Sequence, residues 1–320
     1  MGQISSTSLQ VLQTQAFTTP GSEWFPSNAV APRIFGGGLY ATFTGSTTWV
    51  VPTGVTSIRV RVVGAGGGGR GQYGDSTGRG GGGGGYAHGV FTVTPGASYT
   101  LTVGAGGNGG SLGNNGSAGG STSFGALISA TGGGGGTSSV VGAGGTGTGG
   151  TVQSTGGAGG QGEGTGPDYY GGGGGGAGSQ LGTGGAGSAA QNTTPGKGGG
   201  VKSAGSNAYA GDAFFGLGIN IAGTTTVLPS PEVFAPRFNF DIFTGTAATG
   251  VNTSAPGAGS PGYQTIAGVG GGGPGSTYSQ TPRSGGLGGG GGGGFYAFAC
   301  CIDYSASGSS GGNGFIVVEW

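Results

Sequence analysis

Residues 285–312 read GGLGGGGGGGFYAFACCIDYSASGSSGG, where seven consecutive glycines, 288–294, run directly into Phe295, Tyr296 and Phe298. Glycine loses more backbone freedom on folding than any other residue. An isolated run of this kind is therefore a flexible linker, and a linker has no reason to end in a knot of aromatic rings. The same texture recurs at 80–85 and 171–176, which points to another use of glycine. In the left-handed three-residue helix, rising about 3.1 Å per residue, chains without side chains can lie side by side. Their N–H and C=O groups point sideways in three directions and can bond to neighbours, an arrangement known as polyglycine II. Runs that are glycine throughout suit the interior of such a bundle. Mixed segments such as GAGGTGTGG (142–150) and TGGAGGQGEGTG (155–166) suit outer layers with one glycine face inward.

Composition narrows the alternatives. Glycine supplies 95 of the 320 residues and only 6% are charged. Collagen needs a strict Gly-X-Y period with abundant proline; 14 prolines and unbroken glycine runs exclude it. Disordered chains pair low hydrophobicity with high net charge, whereas this one is 32% hydrophobic with a formal net charge of zero. Neutrality also removes the basic footprint of a nucleic-acid binder. No stretch is long and apolar enough for a transmembrane helix, and the first thirty or so residues lack a leader pattern. The expectation is no membrane insertion and no export by the general pathway. Cys300 and Cys301 are the only cysteines and are adjacent, so no disulfide framework is expected.

Residues 1–39 are polar and mixed, with Trp24, Phe25 and Pro26 as an anchor, and read as a docking arm. From Tyr40 the texture is β-rich. Alternation in SIRVRVV (57–63) puts Ile58, Val60 and Val62 on one face and Arg59 and Arg61 on the other. Strands at 87–93 and 98–103 flank a Pro95–Gly96 turn, and STSFGALISA gives another pair. The terminal GFIVVEW is a strand with no local partner; strand edges must be paired or protected, so it returns to 57–63. The expected fold is mostly β: a small antiparallel β base with a bundle of polyglycine II helices and long irregular loops. The base comprises 40–131 plus 313–320. The bundle comprises 132–312, including an aromatic-rich insertion at 207–265.

Three motifs, T-x-W-x-V-P-x-G-V-T-S-I-R-V-x-V-V-G (47–64), G-x-x-x-G-V-x-x-V-x-P-G-x-x-Y-x-L-x-V-G-x-G-G (85–107) and the closing G-G-x-G-x-I-V-V-E-W (311–320), carry a resemblance. Together they resemble the glycine-rich domain of bacteriophage tail fibre and receptor-binding proteins. More loosely, the chain is similar to the polyglycine II tip adhesins of T-even-type phages, which present variable loops on a helix sandwich. The N-terminal region departs from those adhesins. The resemblance implies a virion protein of the tail fibre or tail tip, made in the host cytoplasm. Its implied partners are a bacterial surface receptor (protein, pilus or glycan) and, through the N-terminal region, other tail proteins. A homotrimer and a single-chain tip are both compatible with it.

Catalytic and cofactor readings fail on inventory. His88 is the only histidine and reads as a strand-surface side chain. GxGxxG matches are frequent by chance at this glycine content, and TPGKGGG lacks a hydroxyl residue after Lys197. No enzyme activity, metal or cofactor is expected. The N-terminal MGQISS fits a myristoylation pattern without the basic partner signal that stable anchoring needs. What remains is aromatic loops between glycine runs. An apolar ring with a polar tip suits recognition, so the candidate receptor contacts are Tyr73, Tyr169, Tyr170, Phe214, Phe215, Phe295, Tyr296, Phe298 and Tyr304. If the last strand returns antiparallel to 57–63, the loop 295–310 lies at the far end of the bundle, as does 70–79. Counting back places 288–294 as a rising run, a base turn in 274–286, and the insertion at the far end. The leading reading is a host-recognising adhesin. The alternatives are a non-adhesive structural glycine-rich protein of a virion or cell wall, and an ice-binding protein, for which irregular loops leave no flat face.

Overall fold

The alternation in SIRVRVV organises the base. In the computed structural model, which describes residues 40–73, 77–164, 168–180, 182–191, 195–196, 198–200, 219–220, 226–227, 270–276, 284–299 and 302–320, this segment is the central strand of a five-stranded sheet. That sheet holds β1 (Tyr40–Phe43), β3 (Ser57–Val63), β4 (Tyr86–Thr92), β9 (Val152–Ser154) and β16 (Phe315–Glu319), in the order β1-β16-β3-β4-β9. The closing strand pairs antiparallel with β3, Phe315 opposite Val63 and Glu319 opposite Arg59. On its other side it pairs with β1. A second five-stranded sheet holds β2 (Thr47–Val50), β5 (Ser98–Thr102), β6 (Thr122–Phe124), β7 (Ile128–Ala130) and β8 (Gly147–Thr148). Among the described residues, β12 (Ile219–Asn220) and β13 (Thr226–Val227) form a separate two-stranded antiparallel sheet.

The two sheets share one apolar core. Ile58, Val60, Val62, Ile316 and Val318 from the first meet Trp49, Leu101, Phe124 and Ile128 from the second. Trp49 packs tilted against Phe124 and Trp320, with ring centroids 5.8 and 5.6 Å away. The strands on either side of Pro95–Gly96 are not a hairpin: β4 joins the first sheet and β5 the second. The crossing is held where Val51 N–H donates to the Ala97 carbonyl and Gly96 N–H to that of Val51. Strands β8 and β9 carry both sheets beyond residue 131.

The outer face of the first sheet is not a solvated row of arginines. Arg61 and Glu319 are buried, their Nη1 and Oε1 atoms 2.8 Å apart, and Arg59 reaches the other carboxylate oxygen at 3.3 Å. Further along that face Val63, Tyr86, Phe315 and Val317 pack with Ala177, and Leu287 covers them. Burial pushes the Tyr86 phenol up to about 12, against the opposing pull of Arg61. Glycine segments end on this face, which explains why both sides of β3 are covered.

From Val63 the chain leaves the sheet as the run 64–72, and every N–H of that run donates to another run. Residues 64, 67 and 70 donate to the carbonyls of 85, 82 and 79. Residues 65, 68 and 71 donate to 120, 117 and 114, and residues 66, 69 and 72 to 312, 309 and 306. The partner changes every residue and repeats every third. The run also accepts from Gly107 and Gly110, from Gly291 and Gly294, and from Gly133 and Gly136. It therefore has six bonded neighbours. The runs 79–85 and 171–178 are bonded to six neighbours in the same way.

All of 80–85, 171–176 and 288–294 is buried, as interior all-glycine runs must be. At most buried glycines an added Cβ would collide with a neighbouring backbone carbonyl; at Gly291 that carbonyl belongs to Ser309. Outer runs show a three-residue burial period instead. Gly104, Gly107 and Gly110 are buried while Ala105, Asn108 and Ser111 are exposed. Where an outer run lacks a backbone neighbour, side chains accept its N–H groups. Thr122 Oγ1 takes Gly104, Asn313 Oδ1 takes Gly106 and Ser117 Oγ takes Asn108. An unpaired buried N–H costs about 1–3 kcal/mol, so Ser, Thr and Asn in the mixed segments finish the edges of the bundle.

Bond levels fix which end each turn occupies. Gly200 lies level with Gly185, and Gly270 level with Ala177 and Leu287, all at the sheet end. Residues 270–276 then run away from the sheets, Ser276 N–H reaching the Gly293 carbonyl. This corrects the count from sequence, in which 270–273 descended to a base turn at 274–286. The base turn is Leu287–Gly288, with Gly288 at φ 79°. The 207–265 insertion lies almost wholly outside the described residues, and its described flanks leave and rejoin at the sheet end. Residues 1–39, expected to be a docking arm, lie outside them as well.

Candidate functional site

Among the described residues, the end of the bundle opposite the sheets gathers 73, 77–78, 111–114, 137–141, 161–164, 168–170, 295–299 and 302–305. Part of it is a four-stranded sheet rather than loops. It contains β10 (Glu163–Gly164), β11 (Asp168–Tyr170), β14 (Tyr296–Ala299) and β15 (Ile302–Ser305), in that order. FYAFACCIDY is thus a hairpin, Tyr296 opposite Ser305 and Ala299 opposite Ile302. Cys300 and Cys301, which join its strands, lie outside the described residues.

Tyr169 stands directly opposite Tyr296, with ring centroids 6.0 Å apart and planes at 54°. The Tyr169 ring lies over Gly164, where any Cβ would occupy the ring's own position. Tyr170 meets Phe295 at 5.8 Å. Phe295 is only 2% exposed, so it underpins the tip sheet instead of facing a partner. This corrects its assignment as a contact. Tyr169, Tyr170 and Tyr296 are half-buried. Phe298 and Tyr304 lie in β14 and β15, opposite Asp303 and Ala297. Phe214 and Phe215 lie outside the described residues.

Tyr73 is 62% exposed on a neighbouring turn. Beside it the structure reveals two side chains not singled out from sequence, Leu112 at 43% and Val140 at 58% exposure. Leu112 is a lone large aliphatic residue in a Gly/Ser/Asn segment and Val140 begins a Val140–Val141 pair after Thr137–Ser139, and such aliphatic residues between glycine runs were the available signal. The turns carrying them are short. Gln72 is fully buried, and its Oε1 accepts from Gly78 N–H at 3.0 Å, closing the neck of the 72–78 turn.

Two guanidiniums sit beneath these turns. Arg70 donates from Nη1 to the Thr77 carbonyl and from Nη2 to that of Gly113, both at 3.0 Å. Arg79 donates from Nε to Gln161 Oε1 at 2.7 Å and from Nη1 to the carbonyls of Thr137, at 3.1 Å, and Ser138. Burial, and then the positive charge of Arg79, hold Arg70 below the usual arginine range. His88 is far away, half-buried on β4 opposite Arg61. Among the described residues no three His, Cys, Asp or Glu side chains gather as metal ligands would. The arrangement at the tip is suited to contact: ring faces, aliphatic groups and a braced backbone.

The sequence profile of the glycine-rich domain family matches residues 41–320, spanning both sheets, the bundle and the tip. No curated protein sequence matches the chain.

Proposed function

The chain belongs to the glycine-rich domain family, and on that premise we propose that it is a bacteriophage tail fibre or tail-tip adhesin. In this reading it recognises a host bacterial surface structure without catalysis. Its glycine runs are polyglycine II helices packed hexagonally. The observation that carries the reading is the bonding of 64–72, which cycles among three acceptor runs with a three-residue period. That period is the helix repeat of polyglycine II. At about 3.1 Å per residue the run extends roughly 28 Å from the sheet. A stiff bundle of this kind can vary its terminal turns at little cost to its core, and binding residues concentrate on loops held by rigid scaffolds. Tyr73, Tyr169, Tyr170 and Tyr296 supply amphipathic rings at that end. The sheet end is left for attachment to the particle.

The test is adsorption. Fluorescently labelled full-length chain is mixed with a panel of bacterial strains and bound cells are counted. At least one strain is labelled, and Tyr296→Ala reduces its labelling roughly tenfold or more, since truncating an anchor typically costs about 2 kcal/mol. A chain that labels no strain is not an adhesin.

A further inference from the structure

In an Asn-Gly pair the glycine nitrogen can reach the asparagine side chain, because no Cβ on the glycine obstructs the approach. That nitrogen attacks the side-chain carbonyl carbon and loses its proton. A five-membered imide forms, and the side-chain nitrogen leaves as ammonia. Water then opens the imide at either carbonyl. One product is aspartate; the other is isoaspartate, in which the main chain runs through the side-chain carboxyl. The chain holds three such pairs, Asn108-Gly109, Asn115-Gly116 and Asn313-Gly314, and all three asparagines are exposed. Exposure does not tell them apart, but bonding does. The attack needs a glycine N–H that can give up its proton and a side-chain amide that can turn toward it. At Asn115 neither is free: Gly116 N–H donates to the Gly136 carbonyl and Asn115 Oδ1 accepts from Ser138 N–H, both at 2.9 Å. At Asn313, Gly314 N–H donates to the Gly104 carbonyl and Oδ1 accepts from Gly106 N–H, again both at 2.9 Å. Asn108 differs on both counts. Gly109 N–H has the Ser310 hydroxyl at 3.4 Å, beyond the usual range of about 2.7–3.2 Å. Among the described residues, the bonds of Asn108 are made by its backbone, to Ser117, and none by its side-chain amide.

We infer that Asn108 is a site of spontaneous deamidation in the folded chain, while the bundle protects Asn115 and Asn313. Water is the one co-reactant. Asn108 stands on an outer run whose Gly107 N–H donates to the Gly66 carbonyl and whose Gly110 N–H donates to that of Gly69, both at 2.8 Å. Those two acceptors sit three residues apart on one neighbouring run, so the bonds depend on an unbroken three-residue period. An isoaspartyl link adds one carbon to the main chain between Gly107 and Gly110, and both bonds cannot then stay in register. Gly110 also accepts from Gly308 N–H at 2.8 Å, and that contact shifts with it. The aspartate product keeps the period and places a negative charge beside Ser117 and Ser310. The folded chain thus carries a one-way chemical change that loosens the run leading into the 111–114 turn, whatever that end binds.

The test uses the folded full-length chain held in mildly alkaline buffer beside a sample unfolded in urea. Both are digested at intervals, and mass spectrometry follows conversion of amide to acid in the three peptides. In urea the three pairs convert at similar rates, because each is followed by glycine. In the folded chain Asn108 converts about tenfold or more faster than Asn115 and Asn313, since a bond that must break first slows the step by about that factor. Equal rates at the three pairs overturn the inference, as does faster conversion at Asn115 or Asn313. So does an intact Asn108 at the time when the urea sample is fully converted. The isoaspartyl form of the chain, separated by ion exchange and identified with isoaspartate methyltransferase, shows faster amide hydrogen exchange at Gly107 and Gly110 than fresh chain. Equal protection at those two amides overturns the loosening.

Discussion

Replacing Gly291 with alanine adds one methyl group at the centre of the bundle. The new Cβ falls on the backbone carbonyl of Ser309, with the carbonyl carbon and Ser310 behind it. No flexible side chain can yield, so the runs must separate by on the order of 1 Å to restore ordinary contact. The two runs are joined where Ser309 N–H donates to the Gly292 carbonyl at 3.0 Å and Gly312 N–H to the Gly289 carbonyl at 2.9 Å. A shift of that size takes both beyond bonding distance. Each broken buried bond costs about 1–3 kcal/mol, giving about 2–6 kcal/mol in all. For a chain of this size that lowers the melting temperature by about 3–9 °C. Gly45→Ala is the control, since its Cβ would meet nothing within 4 Å. It should leave stability unchanged or raise it by about 0.4–1 kcal/mol through the unfolded chain. Differential scanning calorimetry reads both variants. A Gly291→Ala protein melting within about 1 °C of wild type would refute the lattice argument, because a linker tolerates alanine.

Four further outcomes follow from the base. Deleting 315–320 removes a strand bonded on both sides, by β1 and β3, and should yield aggregated protein on size-exclusion chromatography; a soluble folded monomer contradicts the pairing. Glu319→Gln leaves buried Arg61 without its counter-charge and should cost about 3–5 kcal/mol in urea unfolding. Arg59→Ala, whose side chain is 30% exposed, should cost about 1 kcal/mol or less. Burial, then the charges of Arg61 and Arg59, hold the His88 imidazole below its ordinary 6.5, with Glu319 opposing them. The unfolded chain therefore takes up that proton first. The contribution of neutral His88 is complete above about pH 6.5 and lost as pH falls toward the folded value. Melting temperatures at pH 7.5 and 5 should fall further apart for wild type than for His88→Gln, and equal gaps would exclude the effect.

The alternation of β3, its pairing with the closing strand and the burial of the all-glycine runs are all legible in the residues, because each depends on a short-range period. Connectivity through the middle is not. Pro274 reads as a turn, yet its fixed φ near −65° fits an extended run equally well, and in the structure 270–276 continues through it. The real turn is marked by Leu287, an apolar residue that anchors on Val63 and Tyr86. Alternation also assigns faces without assigning partners, so Pro95–Gly96 looked like a hairpin turn when it is a crossing between sheets. At the tip, a run of aromatics read as a loop where the structure has a hairpin. It could not separate Phe295, which is buried against Tyr170, from the half-buried Tyr296. Arg70 and Arg79 were not singled out from sequence, because the carbonyls they bond become visible only in three dimensions.

The central claim is that these glycines form an ordered, mutually bonded bundle and not a tether. Residue-resolved amide hydrogen exchange on the full-length chain tests it most directly. The amides of 64–72, 80–85 and 172–176, each bonded to a neighbouring run, should be protected to nearly the same degree as those of β3 and β16. Exchange of these amides at random-coil rates, with the sheets still protected, would contradict it.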